Sequence, residues 1–341
     1  MSTAEFLRQL RLRDVRVWTD GAGLRVNAPR GALTAELQAE LTTRRSEILN
    51  FLDTASRWRS TLVPIQPSGS RPAFFGVPGP DGDVFCYVRL ARELGPDQPF
   101  YAFEPPGLDG VEAPVTTIEG LVARYLADLK TLQPRGPYLI GGFCLGGIVA
   151  FELARQLRAA GDDVALLALF ESPSPNGLRP RNRAAAARRC RRNAIVDRVR
   201  WLLGQPWSQR VAFVRGRLVR AVRRLEPAAT RRPALGWWEE QKARVARATF
   251  AAAYAYALEA RPYPGRIVLF LASERSKRRA YGRQLDWAHV AAGGLEAHVG
   301  PDCPDHVTML VEPAYVRFFG GLLRRCIDAP ARVSTNAPSA A

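Results

Sequence analysis

Residues 138–147 read Tyr138-Leu139-Ile140-Gly141-Gly142-Phe143-Cys144-Leu145-Gly146-Gly147, an apolar run ending on a cysteine framed by glycines at minus two and plus two. A helical pattern follows at once. A strand that turns sharply into a helix forces its corner residue into a strained backbone. Side chains at the flanking positions would collide with the crossing elements, so glycine is needed there. Such a corner would hold the Cys144 sulfur at the end of a sheet and at a helix N-terminus, whose partial positive charge favours a thiolate or an oxyanion. Cys144 is the candidate nucleophile, and the Leu145 backbone N–H the first candidate oxyanion donor.

Outward from this corner, short apolar strands alternate with helical stretches. Strands are expected at Ala73 to Val77, Phe100 to Phe103 and Val164 to Phe170, with helices near 84–94, 117–132 and 145–160. Arg266 to Leu271 and Leu295 to Val299 add two strands, and a helix over about 308–326 closes the core. The alternation argues an α/β protein with a mostly parallel sheet covered on both faces.

An α/β-hydrolase places its nucleophile first, its acid after a later strand and its histidine last. Glu171 follows the strand 164–170 directly, and His306 lies in the turn-rich stretch Gly300-Pro301-Asp302-Cys303-Pro304-Asp305-His306 after the last strand. Of the three histidines, His289 falls in a helical or loop stretch and His298 inside a strand, so His306 has the setting of a general base. It would take the Cys144 proton while Glu171, one methylene longer than the usual Asp, holds the imidazole tautomer. The second oxyanion donor is expected in Val77-Pro78-Gly79-Pro80-Asp81-Gly82, at Gly79 or Pro80. Proline has no N–H, so a donor position filled by Pro80 would pass the task to Gly79 or Asp81.

At 341 residues the chain has room for one α/β core and a small extra domain. Its five cysteines are odd in number and widely spaced, without a CxxC pair or a Cys/His pattern of ligand spacing. A reduced, cytoplasmic protein without a metal is expected. The N-terminus lacks a long apolar stretch, and nothing later approaches the ~18 apolar residues of a membrane span, so neither export nor membrane insertion is expected. The formal charge of +17 is concentrated: residues 178–248 hold 19 Arg and one Lys against four acids, a net +16. Such a run can be a solvated helical face. Its one-sidedness also suits steering of an acidic partner. Nucleic acid is disfavoured as that partner, because no recognisable binding motif accompanies the charge.

The first ~55 residues form a unit of their own by pattern. Residues 3–12 read as an amphipathic helix with Phe6, Leu7 and Leu10 on one face. Val15 to Trp18 and Leu24 to Val26 alternate about the turn Asp20-Gly21-Ala22-Gly23, a hairpin signature. Residues 34–53 return to helix, capped by Thr34 and carrying Leu37, Leu41, Ile48, Leu49 and Leu52. With no His or Cys, the unit suits contact rather than chemistry. Through Leu10-Arg11-Leu12-Arg13-Asp14-Val15-Arg16-Val17-Trp18, the run Gly23 to Thr34 and the closing helix, it resembles the TubC-type N-terminal docking domains of nonribosomal peptide and mixed polyketide assembly lines. The resemblance implies that the hairpin receives a C-terminal docking segment of an upstream synthetase, with Arg16, Trp18 and Arg25 outward, and it offers a route to a homodimer.

Residues 61–326 resemble the type I thioesterase domains of the same synthetases. The matching pieces are Phe74-Phe75, Tyr87-Val88-Arg89-Leu90, Pro137 to Gly142, Phe170-Glu171-Ser172-Pro173 and His306-Val307-Thr308-Met309-Leu310. Three departures stand out: Cys144 for the common Ser, Glu171 for the common Asp, and Pro78 and Pro80 in the oxyanion loop. The resemblance implies an α/β-hydrolase fold whose Arg-rich segment is the helical lid. Arg188, Arg189, Arg191 and Arg192 would there attract an acidic acyl or peptidyl carrier protein and its phosphopantetheine arm. No cofactor of the chain's own is implied. The expected organisation is a docking domain at 1–55, a linker at 56–70, a thioesterase domain at 71–328 with its lid over about 173–248, and a disordered tail at 329–341. The leading reading is a trans-acting cysteine thioesterase releasing its acyl chain by hydrolysis, cyclisation or amide formation. The alternatives are an acyl- or aminoacyltransferase shuttling between carrier proteins, and a non-catalytic docking or scaffold protein.

Overall fold

The computed structural model describes residues 3–13, 15–19, 23–28, 32–57, 61–110, 112–179, 237–272, 284–301 and 307–329. Helix α1 (Thr3–Leu12) leads into the hairpin β1 (Arg16–Thr19) and β2 (Leu24–Asn27), then α2 (Ala35–Thr43) and α3 (Arg45–Arg57). The Thr34 hydroxyl caps α2 by accepting from the Leu37 N–H. Trp18 pairs with Arg25 and Arg16 with Asn27, so these four positions share one face of the hairpin. From the other face, Val17 and Leu24 pack against the buried cluster that includes Phe6, Leu10 and Ile48.

Strand β3 (Leu62–Gln66) corrects the expected linker at 56–70, because it is the edge of the main sheet. Prolines made this stretch read as a spacer, but an edge strand tolerates Pro64, and Leu62, Val63 and Ile65 are buried. There follow β4 (Phe74–Val77), α4 (Val88–Glu93), β5 (Phe100–Phe103), α5 (Ile118–Leu132), β6 (Tyr138–Phe143), α6 (Gly146–Ala159), β7 (Val164–Phe170) and the short α7 (Pro175–Leu178). Helix α8 (Trp237–Tyr256) runs past residue 248, where the lid was expected to end. Then come β8 (Ile267–Leu271) and β9 (Leu295–Val299). The single closing helix expected over 308–326 is two, α9 (Thr308–Val311) and α10 (Pro313–Asp328). Pro313 cannot continue a helix but opens one, and it stands in the first turn of α10.

The sheet order is β3-β5-β4-β6-β7-β8-β9, with β3 antiparallel and the remaining pairings parallel. This is the α/β-hydrolase arrangement. One face is covered by α5, α6 and α8, through residues such as Tyr125, Phe151 and Ala253, and the other by α4 and α10, through Leu90 and Phe319. Strand β4 lies between β5 and β6, so the winding reverses there. The crevice beyond the carboxyl ends of β4 and β6 is where such a sheet binds ligands.

Candidate active site

Two corners open on that crevice. Cys144 follows β6 with φ 52° and Glu171 follows β7 with φ 46°, the two non-glycine residues of positive φ among the described residues. Such a conformation costs on the order of 1–3 kcal/mol and persists where surrounding contacts enforce it. Here the ladder does so: the Cys144 N–H donates to the Phe170 carbonyl, and the Glu171 N–H to the Phe270 carbonyl, each at 2.9 Å. The glycines leave room for the turn. A Cβ on Gly146 would stand 1.9 Å from the Pro78 carbonyl oxygen, one on Gly142 2.6 Å from the Gly146 oxygen, and one on Gly147 1.8 Å from the Ser172 hydroxyl.

Burial pushes the Cys144 thiol up to about 11. The Leu145 amide, donating to sulfur at the head of α6, pulls the other way, and the Asp81 and Glu171 carboxylates push it further up. The helix N-terminus was expected to favour the thiolate, but desolvation outweighs it. Cys144 is a thiol near neutral pH and needs a base to react. Glu171 is 2 % exposed, and its carboxylate accepts from the Ala272 N–H just beyond β8.

His306 lies outside the described residues, as do Arg188, Arg189, Arg191 and Arg192. Strand β9 ends at Val299 on the same carboxyl edge, and the Gly300 N–H donates to the Leu271 carbonyl at 2.8 Å, so the chain leaves the sheet beside the Ala272 amide that holds Glu171. His289 is exposed, and His298 sits in β9 as its pattern suggested.

The loop after β4 is a tight turn closed by the Gly82 N–H on the Gly79 carbonyl at 3.0 Å. Pro80 takes its second position, where proline's fixed φ is favoured and no donor is needed. That corrects Pro80 as an oxyanion residue. The Asp81 carboxylate accepts from its own amide and that of Asp83, which leaves Gly79 as the loop's candidate donor. Burial and the Asp83 carboxylate raise the Asp81 acid, while Lys242 of α8 lowers it. Beneath the loop, the buried Tyr87 hydroxyl donates to the Val77 carbonyl at 2.6 Å and accepts from the Phe143 N–H, tying the ends of β4 and β6 together.

Helix α8 covers the crevice from above, with Trp238 and Val245 on Leu108 and the Trp237 ring against Gly110. Its C-terminal turn is tied to α6: the Tyr256 hydroxyl donates to the Glu152 carboxylate at 2.5 Å, and Arg155 binds both Glu152 oxygens at 2.7 Å. Burial alone would raise the Glu152 acid, yet hydrogen bonds from Arg155, Tyr256 and Gln156 hold it below its ordinary value. Sequence reasoning missed Tyr87, Ala272 and the Glu152 cluster, and gave Asp81 only as a fallback amide donor. Only Glu152 carried a signal, an acid on the otherwise apolar face of the helix after Cys144.

Residues 73–310 match the thioesterase domain family, and residues 4–53 match the TubC N-terminal docking domain. An atromentin synthetase of Serpula lacrymans is 37% identical over 122 residues, 36% of this chain and 13% of that protein. A malpinin synthetase of Mortierella alpina is 36% identical over 113 residues, 33% of this chain and 2% of that protein. The chain thus matches only a small part of each synthetase. Among solved structures, a four-domain nonribosomal peptide synthetase bound to AMP and glycine superposes over 80% of this chain and 20% of its own, at 22% identity and TM-score 0.57. The wild-type Vlm2 thioesterase domain covers 78% of this chain and 96% of its own, at 23% identity and TM-score 0.51. At these identities the structures speak for the fold. Among the described residues, no helix is long and apolar enough to cross a membrane.

Proposed function

Because this chain belongs to the thioesterase domain family, we propose that it takes an acyl or peptidyl chain from a carrier-protein thioester onto Cys144 and releases it in trans to an assembly line. The observation that carries the reading is the positive-φ corner at Cys144, with the Leu145 amide on its sulfur and Glu171 on the adjoining corner. His306, brought by the chain after β9, is the base the neutral thiol requires. It accepts the Cys144 proton as sulfur attacks the thioester carbonyl, and returns it to the departing phosphopantetheine thiol. Glu171 orients the imidazole. The Leu145 and Gly79 amides receive the developing oxyanion. Water, an amine or a hydroxyl then attacks the acyl-enzyme and restores the thiol.

Cysteine in place of serine favours a second use of the same intermediate. Moving an acyl group from one thiol to another is nearly isoenergetic, so the acyl-enzyme stays activated and can pass to an amine or back to a carrier thiol. The match at residues 4–53 supports docking to a synthetase through the hairpin face of Arg16, Trp18 and Arg25, and the net +16 of residues 178–248 suits an acidic carrier protein. The test is the fate of a radiolabelled acyl group on one carrier, with a second, unloaded carrier present. Free or cyclised product supports release, and label on the second carrier supports the shuttle. If Cys144→Ala turns over as fast as the natural chain, the assignment fails.

A further inference from the structure

Glu296 and His298 stand on β9, and Cys326 stands in the last turn of α10. Strand periodicity puts the two β9 residues on one face. Nε2 of His298 lies 2.9 Å from Oε1 of Glu296 and 3.7 Å from Sγ of Cys326, and the three donor atoms all fall within 4.8 Å of one another. The His298 ring stacks on Phe270 with centroids 5.5 Å apart, and Arg266 pairs with the other Glu296 oxygen. Glu296, His298, Cys326 and Arg266 line a cleft of about 370 Å³ together with Arg325.

From this juxtaposition we propose that Glu296, His298 and Cys326 form a transition-metal site, with zinc the fitting ion. A proton relay would need the thiol and the carboxylate on opposite ring nitrogens. Here both face Nε2, as ligands round a shared centre do. Donors ~2.0–2.3 Å from zinc at tetrahedral angles stand roughly 3.2–3.8 Å apart, so small side-chain adjustments suffice. A thiolate, an imidazole and a carboxylate select zinc or cobalt over calcium or magnesium, which prefer oxygen alone. Arg266 supplies the outer partner that orients a ligating carboxylate. The cleft beside these donors would leave room for a water or a small anion as fourth ligand, near Arg266 and Arg325. The ion would clamp the edge strand to the closing helix, the two elements on either side of the segment carrying His306.

Cobalt(II) titration of the full chain tests this. The site predicts one cobalt per chain, a thiolate-to-cobalt charge-transfer band and a raised melting temperature. Cys326→Ser should lose the band, and His298→Ala should bind at least about tenfold more weakly. Cys144→Ala should keep both the band and the affinity. Absence of tight binding in the natural chain would overturn the proposal. So would a band that survives in folded Cys326→Ser or vanishes in Cys144→Ala.

Discussion

Cys144 and Glu171 at the middle of the sheet, and Cys326 and Glu296 at its edge, are the same pair of residue types in two different settings. At the centre both residues sit on positive-φ corners, fixed by strand hydrogen bonds and, at Cys144, by close-packed glycines. At the edge both lie within regular elements and converge on one nitrogen of His298. Residue type does not decide the chemistry. A strained corner beside amide donors prepares a nucleophile, whereas side chains converging on a point prepare a ligand set.

The largest separation between the two regions should come from Glu171→Gln. If its carboxylate orients the imidazole as proposed, its loss should lower kcat by about 10³- to 10⁴-fold in steady-state turnover of an acyl thioester. Cobalt affinity at the edge should not change, and an equal loss of both would show that the regions are not independent. Next is a pair of glycines. Gly146→Ala would drive a methyl into the Pro78 carbonyl and should cost about 3 kcal/mol in urea unfolding. Gly321→Ala, with nothing within 4 Å of its added methyl on α10, should be neutral or stabilising by up to about 1 kcal/mol.

The buried thiol gives a pH test of the centre. With its acid constant at about 11, Cys144 in a His306→Ala background should alkylate about tenfold faster per pH unit across the neutral and mildly alkaline range. The natural chain should react faster near neutrality and depend less on pH. The same slope in both proteins would remove His306 as the base. A smaller loss than at Gly146 is expected from Tyr256→Phe, which frees α8 from Glu152 at a cost of about 1.5 kcal/mol. Since Glu152 is held below its ordinary value, its contribution is complete above the unfolded carboxylate range and fades as pH falls through the folded value. The gap between variant and natural chain in thermal melts should therefore narrow in acid.

The centre was legible in the sequence because its constraint is local: one backbone turn demands glycines at fixed offsets from Cys144. The place of Glu171 directly after β7 was legible in the sequence, but its positive φ was not, since no glycine marks that corner. Strand β3 was misread because Pro64 looks like a linker residue until an edge strand is there to hold it. The edge cluster was invisible, since Glu296, His298 and Cys326 meet only when β9 packs against α10, and no spacing rule reports that contact.

The account rests on Cys144 as the acyl acceptor, and the direct measurement is intact-protein mass spectrometry after mixing the chain with an acylated carrier protein, beside Cys144→Ala. A gain equal to the acyl group, removed by neutral hydroxylamine as a thioester is and absent in the variant, is the predicted result. A gain retained by Cys144→Ala, or turnover of the carrier thioester that proceeds undiminished in that variant, would contradict it.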